Sequence, residues 1–272
     1  MEKLSLDEIK KIELSVLKDF HEICIKNNYN YSLAGGSLLG AVRHKGFIPW
    51  DDDIDVMMPR SDYEKFLNYC NQNQVPFGIV NSRVDNEYGD LTSKIYALNT
   101  VIEDELIYTS KEIGLHIDIF PIDNLGSTYE DAKKHYFKTA FLREKLNASN
   151  WKKFTRSKTH GLAYEPFRLF FYLISRFSKK EKIVKKIEDY YINLEINHVE
   201  YAGAVGGCYR VKEILPVKVF NEYQDILFEN NYFKAIKNYD AYLKSLYGDY
   251  MKLPPVEKQA GHHTFSAYYK EK

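Results

Sequence analysis

Asp51-Asp52-Asp53-Ile54-Asp55-Val56 crowds four carboxylates into five positions. Carboxylates this close repel one another unless a cation neutralises them. On an extended strand alternate side chains share a face, so Asp53 and Asp55 point one way while Ile54 and Val56 turn to a core. Two oxygen-rich side chains on one edge suit Mg²⁺, which takes carboxylates, substrate phosphate oxygens and water. A calcium loop fits poorly. Counted from Asp51, its sixth position is Val56 where glycine is needed, and its twelfth is Asp62 rather than glutamate. A merely solvated acidic turn would leave the apolar Ile54 and Val56 between the acids unexplained.

Gly35-Gly36-Ser37 lies upstream, between a short apolar run and a helix-like segment. Alone, such a turn with a helix cap is ordinary. Followed soon by Asp-x-Asp, it becomes a phosphate cradle, because glycines let the backbone approach phosphates that metals hold from the other side. Leu115-His116-Ile117-Asp118-Ile119-Phe120 alternates strictly and sets His116 and Asp118 on one face. Asp118 is the natural third carboxylate, to bridge a metal or take a proton from an attacking hydroxyl. His116 is either a member of that site or a hydrogen-bonded surface histidine.

At these residues the chain resembles the LicD family of the nucleotidyltransferase superfamily, marked by a Gly-Gly/Ser turn followed by Asp-x-Asp or Asp-x-Glu. The signature is LAGGSLLGAVRHKGFIPWDDDIDVMMPRSDYEKF, residues 33 to 66. SKIYALNTVIE (93 to 103), HIDIFPID (116 to 123) and YLKSLYGDYMKLPPVEKQAGHH (242 to 263) fit as well. The resemblance implies a nucleotidyltransferase, polymerase-beta-like core and Mg²⁺-dependent transfer of phosphocholine from CDP-choline, or of a similar group from another CDP-alcohol. The acceptor would be a sugar hydroxyl of a cell-surface glycan precursor, free or lipid-linked: teichoic acid, lipopolysaccharide or capsule. Fukutin-like proteins, which resemble the family, use CDP-ribitol, so the motif leaves the donor open.

Carried over by position, the resemblance makes Asp53, Asp55 and Asp118 the catalytic metal ligands, for one or two Mg²⁺ ions with Mn²⁺ as a substitute. It sets Gly35, Gly36 and Ser37 against the donor phosphates. Arg43, Lys94, His262 and His263 are further donor-binding candidates. For the two cations the competing reading is a solvated charge or salt bridge, and for the two histidines an ordinary loop. The family commonly has an arginine near the place of Lys258-Gln259, and its absence here puts one bidentate donor contact in doubt. Two other functions use the same residues: nucleotidyl transfer from an NTP with pyrophosphate release, and a non-catalytic nucleotide- or glycan-binding module.

The elements that must position this site read as mixed α/β, in the α+β sense. Ser5 with Glu8 forms a capping box, and Ile9, Ile12, Val16, Leu17, Phe20 and Ile23 recur at helical spacing up to Asn27-Asn28. A strand over 31–34 leads to a helix from Ser37 to His44, and a strand over 54–57 leads to a helix capped by Ser61 with Glu64. Strands follow at 77–81, 94–97 and 115–120, and a last helix begins at Phe233 and closes at Gly248 before Pro254-Pro255. The spacing divides the chain into a catalytic core (1–128), a helical basic lobe (129–200) and a returning segment that completes the core (201–272).

At 272 residues and 44% hydrophobic content the chain holds a real core, and its zero net charge argues against a nucleic-acid partner. The zero hides polarity: Trp151 to Ile187 carries eleven Lys or Arg against two acids, a net +9 that the remainder balances. That segment, with Phe167, Phe170, Phe171 and Phe177, is either a solvated lobe or a docking face for an anionic membrane. Cys24, Cys70 and Cys208 lack metal-ligand spacing and read as reduced, buried fillers. With no leader and no apolar run longer than Leu169 to Ile174, a cytoplasmic protein is expected, at the inner membrane face if the lobe docks there.

Overall fold

A computed structural model describes residues 3–103, 113–157, 161–259 and 265–271. The first helix, α1 (Leu6–Asn27), starts at the expected capping box and ends on Asn28 in the left-handed region. Its stripe of Val16, Leu17, Phe20 and Cys24 is buried. β1 (Ser32–Leu33) then leads into α2 (Gly35–His44), which begins two residues earlier than the sequence suggests, with Gly35 at φ +49°. A loop carries the acids into β2 (Ile54–Pro59), whose Ile54, Val56, Met57 and Met58 are buried.

The helix α3 (Arg60–Gln72) corrects a second boundary. Pro59 is its N-cap, and Ser61 lies inside the first turn rather than capping it. Glu64 instead binds Arg83 at 2.7 Å and Arg60 at 3.4 Å. The strands β3 (Gly78–Val80), β4 (Ser93–Tyr96) and β5 (Thr100–Glu103) follow, then the eleven-residue β6 (His116–Gly126).

Four helices fill the middle, α4 (Tyr129–Lys138), α5 (Ala140–Ser149), α6 (Glu165–Ser175) and α7 (Lys180–Ile192). The chain then returns through β7 (Tyr201–Ala204), β8 (Leu215–Pro216), β9 (Tyr223–Phe228), β10 (Asn231–Ile236), α8 (Tyr239–Tyr247) and β11 (Ser266–Tyr269). Phe233 therefore sits in a strand, and the last helix starts only at Tyr239. The hairpin of β9 and β10 turns on Glu229 and Asn230, both at positive φ, as a tight two-residue turn requires.

The main sheet is mixed, in the order β1-β2-β6-β4-β3, with β2 parallel to β6 and the other pairs antiparallel. β6 is long enough for two partners on its second edge: β4 along its first half and β7 along its second. Through β7 and β8 the returning segment joins the same sheet. β11 pairs with β5 in a separate ribbon.

One large core unites α1, α2, α3, α8, the sheet and the β9–β10 hairpin; a second lies between α4, α5, α7 and the chain around Val205 and Ile214. The two are joined by ions. Arg60 makes a two-pronged bond to Asp123 of β6 at 2.7 and 2.8 Å, and Arg60 and Arg83 also face Glu188 of α7. Among the described residues no helix is long and apolar enough to cross a membrane.

Candidate active site

The register of three strands builds the site. Asp55 of β2 stands beside Asp118 of β6, and Asp118 stands beside Lys94 of β4. A carboxylate, a carboxylate and an ammonium thus form one row across the sheet, all on the face opposite buried Ile54, Ile95 and Ile117. The alternation expected for Asp55 and Asp118 is observed.

Lys94 Nζ donates to both Asp118 oxygens, at 2.6 and 2.7 Å, and lies 3.0 Å from His116 Nε2. His116 Nδ1 is 3.2 Å from the Gly114 carbonyl, so the tautomer protonated there leaves Nε2 to accept from Lys94. Thr92 Oγ donates to Asp118 at 3.3 Å. Burial works to raise the Asp118 carboxyl, yet the Lys94 charge and the hydrogen bonds from Lys94 and Thr92 outweigh it and hold Asp118 below its ordinary range. Lys94 moves the opposite way: burial works to lower it, but Asp118 and Asp90 keep it above its ordinary value.

Asp55 is in a different state. Burial, then the neighbouring charges of Asp53 and Asp118, push its carboxyl well above the usual range. Glu13 of α1, 2% exposed, is raised by burial and by the same acids, and its Oε2 has no hydrogen-bond partner among the described residues. Glu13 is not among the residues expected from sequence, although its place within the apolar stripe of α1, four residues after Ile9 and three before Val16, is a usable signal.

The glycine turn presses on these acids. A Cβ on Gly35 would lie 3.1 Å from Asp55 Oδ2, and one on Gly36 would lie 2.8 Å from Asp51 Oδ2. The Gly35 amide donates to the Tyr242 hydroxyl at 3.3 Å. Ser37 ties the turn to the acidic strand: its hydroxyl accepts from the Asp55 amide at 2.8 Å and reaches the Asp53 carbonyl at 3.4 Å. The start of α2, whose first amides have no acceptor within the helix, therefore faces the carboxylate cluster.

Other candidates lie apart. Arg43 is eight residues further along α2, about 12 Å at helical rise, where its guanidinium donates to the Tyr250 carbonyl at 3.0 Å and to His44 at 2.9 Å. His262 and His263 lie outside the described residues. Cys24 and Cys70 are buried as expected, but Cys208 is exposed because it lines two cavities. The smaller, about 40 Å³, is walled by Gly35, Asp55, Tyr242 and Glu213. The larger is a groove of about 490 Å³ between α5, the Gly89–Leu91 segment and the loop through Gly207 and Arg210. Asp90, whose charge acts on Lys94 and Asp118, lines it.

Whether these residues suit a cation can be judged from the donor set. Among the described residues no three His, Cys, Asp or Glu stand together as a ready-made metal site, and Asp118 is paired with Lys94. Asp53, Asp55 and Asp118 nevertheless supply only oxygen, and Asp55 and Glu13 are pushed up first by burial and then by the neighbouring carboxylates. An oxygen-rich cluster of carboxylates against a glycine-lined helix start fits Mg²⁺.

Residues 28–174 match the family model described as LicD/FKTN/FKRP, nucleotidyltransferase domain. Over 98% of this chain and 99% of the relative, the sequence is 34% identical to the lipopolysaccharide cholinephosphotransferase LicD of Haemophilus influenzae. Shorter matches, 43% identical over 68 and 63 residues, link it to uncharacterized proteins of Rickettsia prowazekii and Rickettsia typhi; each covers about a quarter or less of either chain.

Proposed function

The chain belongs to the LicD family, and from that premise we propose that it transfers phosphocholine from CDP-choline to a sugar hydroxyl of a surface-glycan precursor. Lipopolysaccharide is the acceptor named for the full-length relative. Teichoic acid and capsule offer the same hydroxyl chemistry. The observation that carries the reading is the Lys94–Asp118–Asp55 row beneath the start of α2. The core is read as nucleotidyltransferase-like on the same ground, a short mixed sheet whose β2 and β6 carry the acids beside a glycine turn.

In this reading the acceptor oxygen attacks the phosphorus that bears choline, in line with the bond to CMP. That bond breaks, CMP leaves, and the hydroxyl proton passes to a carboxylate. Bound at Asp53 and Asp55, Mg²⁺ would neutralise the pyrophosphate and acidify the attacking hydroxyl. The first amides of α2 receive donor phosphate oxygens, and Gly35 and Gly36 let them come close. Ser37, already bonded to the Asp55 amide, holds the turn in register with the acids. Asp118 stays ionised because of Lys94, and it can share the cation or take the proton only as Lys94 releases it toward the donor phosphates. The groove beside Asp90 has the volume for a sugar, with Asn147 and Tyr136 among its walls.

Incubation with Mg²⁺ and, in separate reactions, CDP-choline, CDP-ribitol, CDP-glycerol and CTP tests the proposal. CMP from CDP-choline that rises with a glycan acceptor is expected. Pyrophosphate from CTP would move the chain to nucleotidyl transfer, and binding without either product would make it a non-catalytic module.

A further inference from the structure

α6 wears its amphipathicity inside out. Glu165 and Arg168, its charged residues, face inward: they are 14% and 15% exposed and pair at 3.6 Å, with Arg168 stacked over Trp151 and Glu165 accepting from the Ser157 amide at 2.8 Å. Phe171 is buried, but most of the helix's other large apolar residues face out. Leu169, Phe170 and Leu173, with Phe177 just beyond the helix, recur at helical spacing on one exposed stripe, and Phe177 is 91% exposed. Leu162, 75% exposed, precedes them. Ring contacts carry the patch sideways from Phe167 through Phe171 to exposed Phe141, and exposed Phe137 lines the groove that leads to Asp90. A contiguous apolar patch of this kind on a water-facing helix needs an occupant.

We propose that this stripe docks on an anionic lipid bilayer and so presents the mouth of the groove to a lipid-linked acceptor. The inference rests on the transfer reading only for its purpose. The choice of occupant comes from charge: the patch lies in a segment of net +9, and Lys152, Lys153, Arg156, Lys179, Lys182, Lys185 and Lys186 are exposed around it in sequence. A second copy of the chain would bring two such cationic segments together, whereas an anionic surface complements them. Interfacial aromatic and leucine side chains with flanking lysines are the composition that lies in a headgroup layer.

The test is sedimentation of the full chain with vesicles of phosphatidylglycerol and phosphatidylethanolamine, against vesicles of phosphatidylcholine alone. The wild type should pellet with the anionic vesicles, less so at high salt. The F170S/L173S/F177S triple variant, altered only at exposed side chains, should bind them at least about tenfold less. CMP release with a water-soluble acceptor should stay unchanged in that variant, while release with a vesicle-borne acceptor falls. Equal sedimentation of the two proteins would overturn the proposal. So would a concentration-dependent dimer that the triple variant abolishes, which would make the stripe a self-association face. Absence of CMP release from every protein and acceptor would defeat the transfer reading and leave the vesicle result standing.

Discussion

Replacing Glu213 with Gln should flatten the pH dependence of stability above about pH 5. Glu213 is 5% exposed, lines the small cavity with Gly35 and Asp55, and accepts from the Tyr209 amide at 2.9 Å. Burial pushes its carboxyl from an ordinary 4.5 up to about 7, against the smaller lowering by the Tyr209 bond. The folded state thus keeps a proton that the unfolded chain has released, so stability is full at low pH and is lost as pH rises from about 4.5 through 7. With each unit of pKa near 1.4 kcal/mol, the loss at pH 8 amounts to about 3 kcal/mol. Gln is the same shape, retains an oxygen for the Tyr209 amide and carries no charge. Urea unfolding at pH 5, 6, 7 and 8 in chelator, for both proteins, measures the effect. The curves should differ by about 1 kcal/mol at pH 5 and by about 3 kcal/mol at pH 8, with the variant the more stable. Parallel curves would show that Glu213 does not hold a proton in the folded state.

Asp55→Asn removes one of the mutually repelling carboxylates, so the metal-free protein should melt no lower than wild type while the rise in Tm caused by Mg²⁺ disappears; a preserved Mg²⁺ shift would place the cation elsewhere. Asp123→Ala leaves the Arg60 guanidinium only its longer contacts with Glu64 and Glu188 and should cost roughly 2–3 kcal/mol in urea unfolding, with Arg60→Lys also destabilising because an ammonium cannot make the two-pronged bond. Gly36→Ala forces its Cβ against Asp51 Oδ2 and should raise the KM for the CDP-alcohol without a matching loss of stability. Asn147→Ala, on the exposed wall of the groove, should raise the KM for acceptor and leave that for donor unchanged.

Local chemistry made much of this legible. The Ser5 and Glu8 capping box starts α1, and alternation along each strand turned Asp55 away from Ile54 and Val56, and Asp118 away from Ile117 and Ile119, while the β2–β6 register alone brought the two acids together. Long-range pairing was not legible: only the register of β4 on β6 delivers Lys94 to Asp118. The same holds for Arg60, which reads as one more charge in the signature until Asp123 is brought opposite it. The β9–β10 hairpin escaped notice because Glu229 and Asn230 occupy the positive-φ turn without the usual glycine. Contacts elsewhere hold that turn: the Glu229 amide donates to the Lys45 carbonyl at 2.9 Å, and its carboxylate accepts from the Phe47 amide at 3.1 Å. Ser61 misled for the reverse reason, since a capping pattern one residue inside a helix leaves Glu64 free to serve Arg83.

Phosphocholine transfer at the Asp53–Asp55–Asp118 cluster can be read by mass spectrometry of a lipopolysaccharide acceptor after incubation with CDP-choline, Mg²⁺ and either wild type, Asp53→Asn or Asp55→Asn. Phosphocholine is expected on the acceptor with wild type alone, both variants remaining folded. Phosphocholine added equally by the variants would contradict transfer at that cluster, as would CMP release by wild type with an unmodified acceptor.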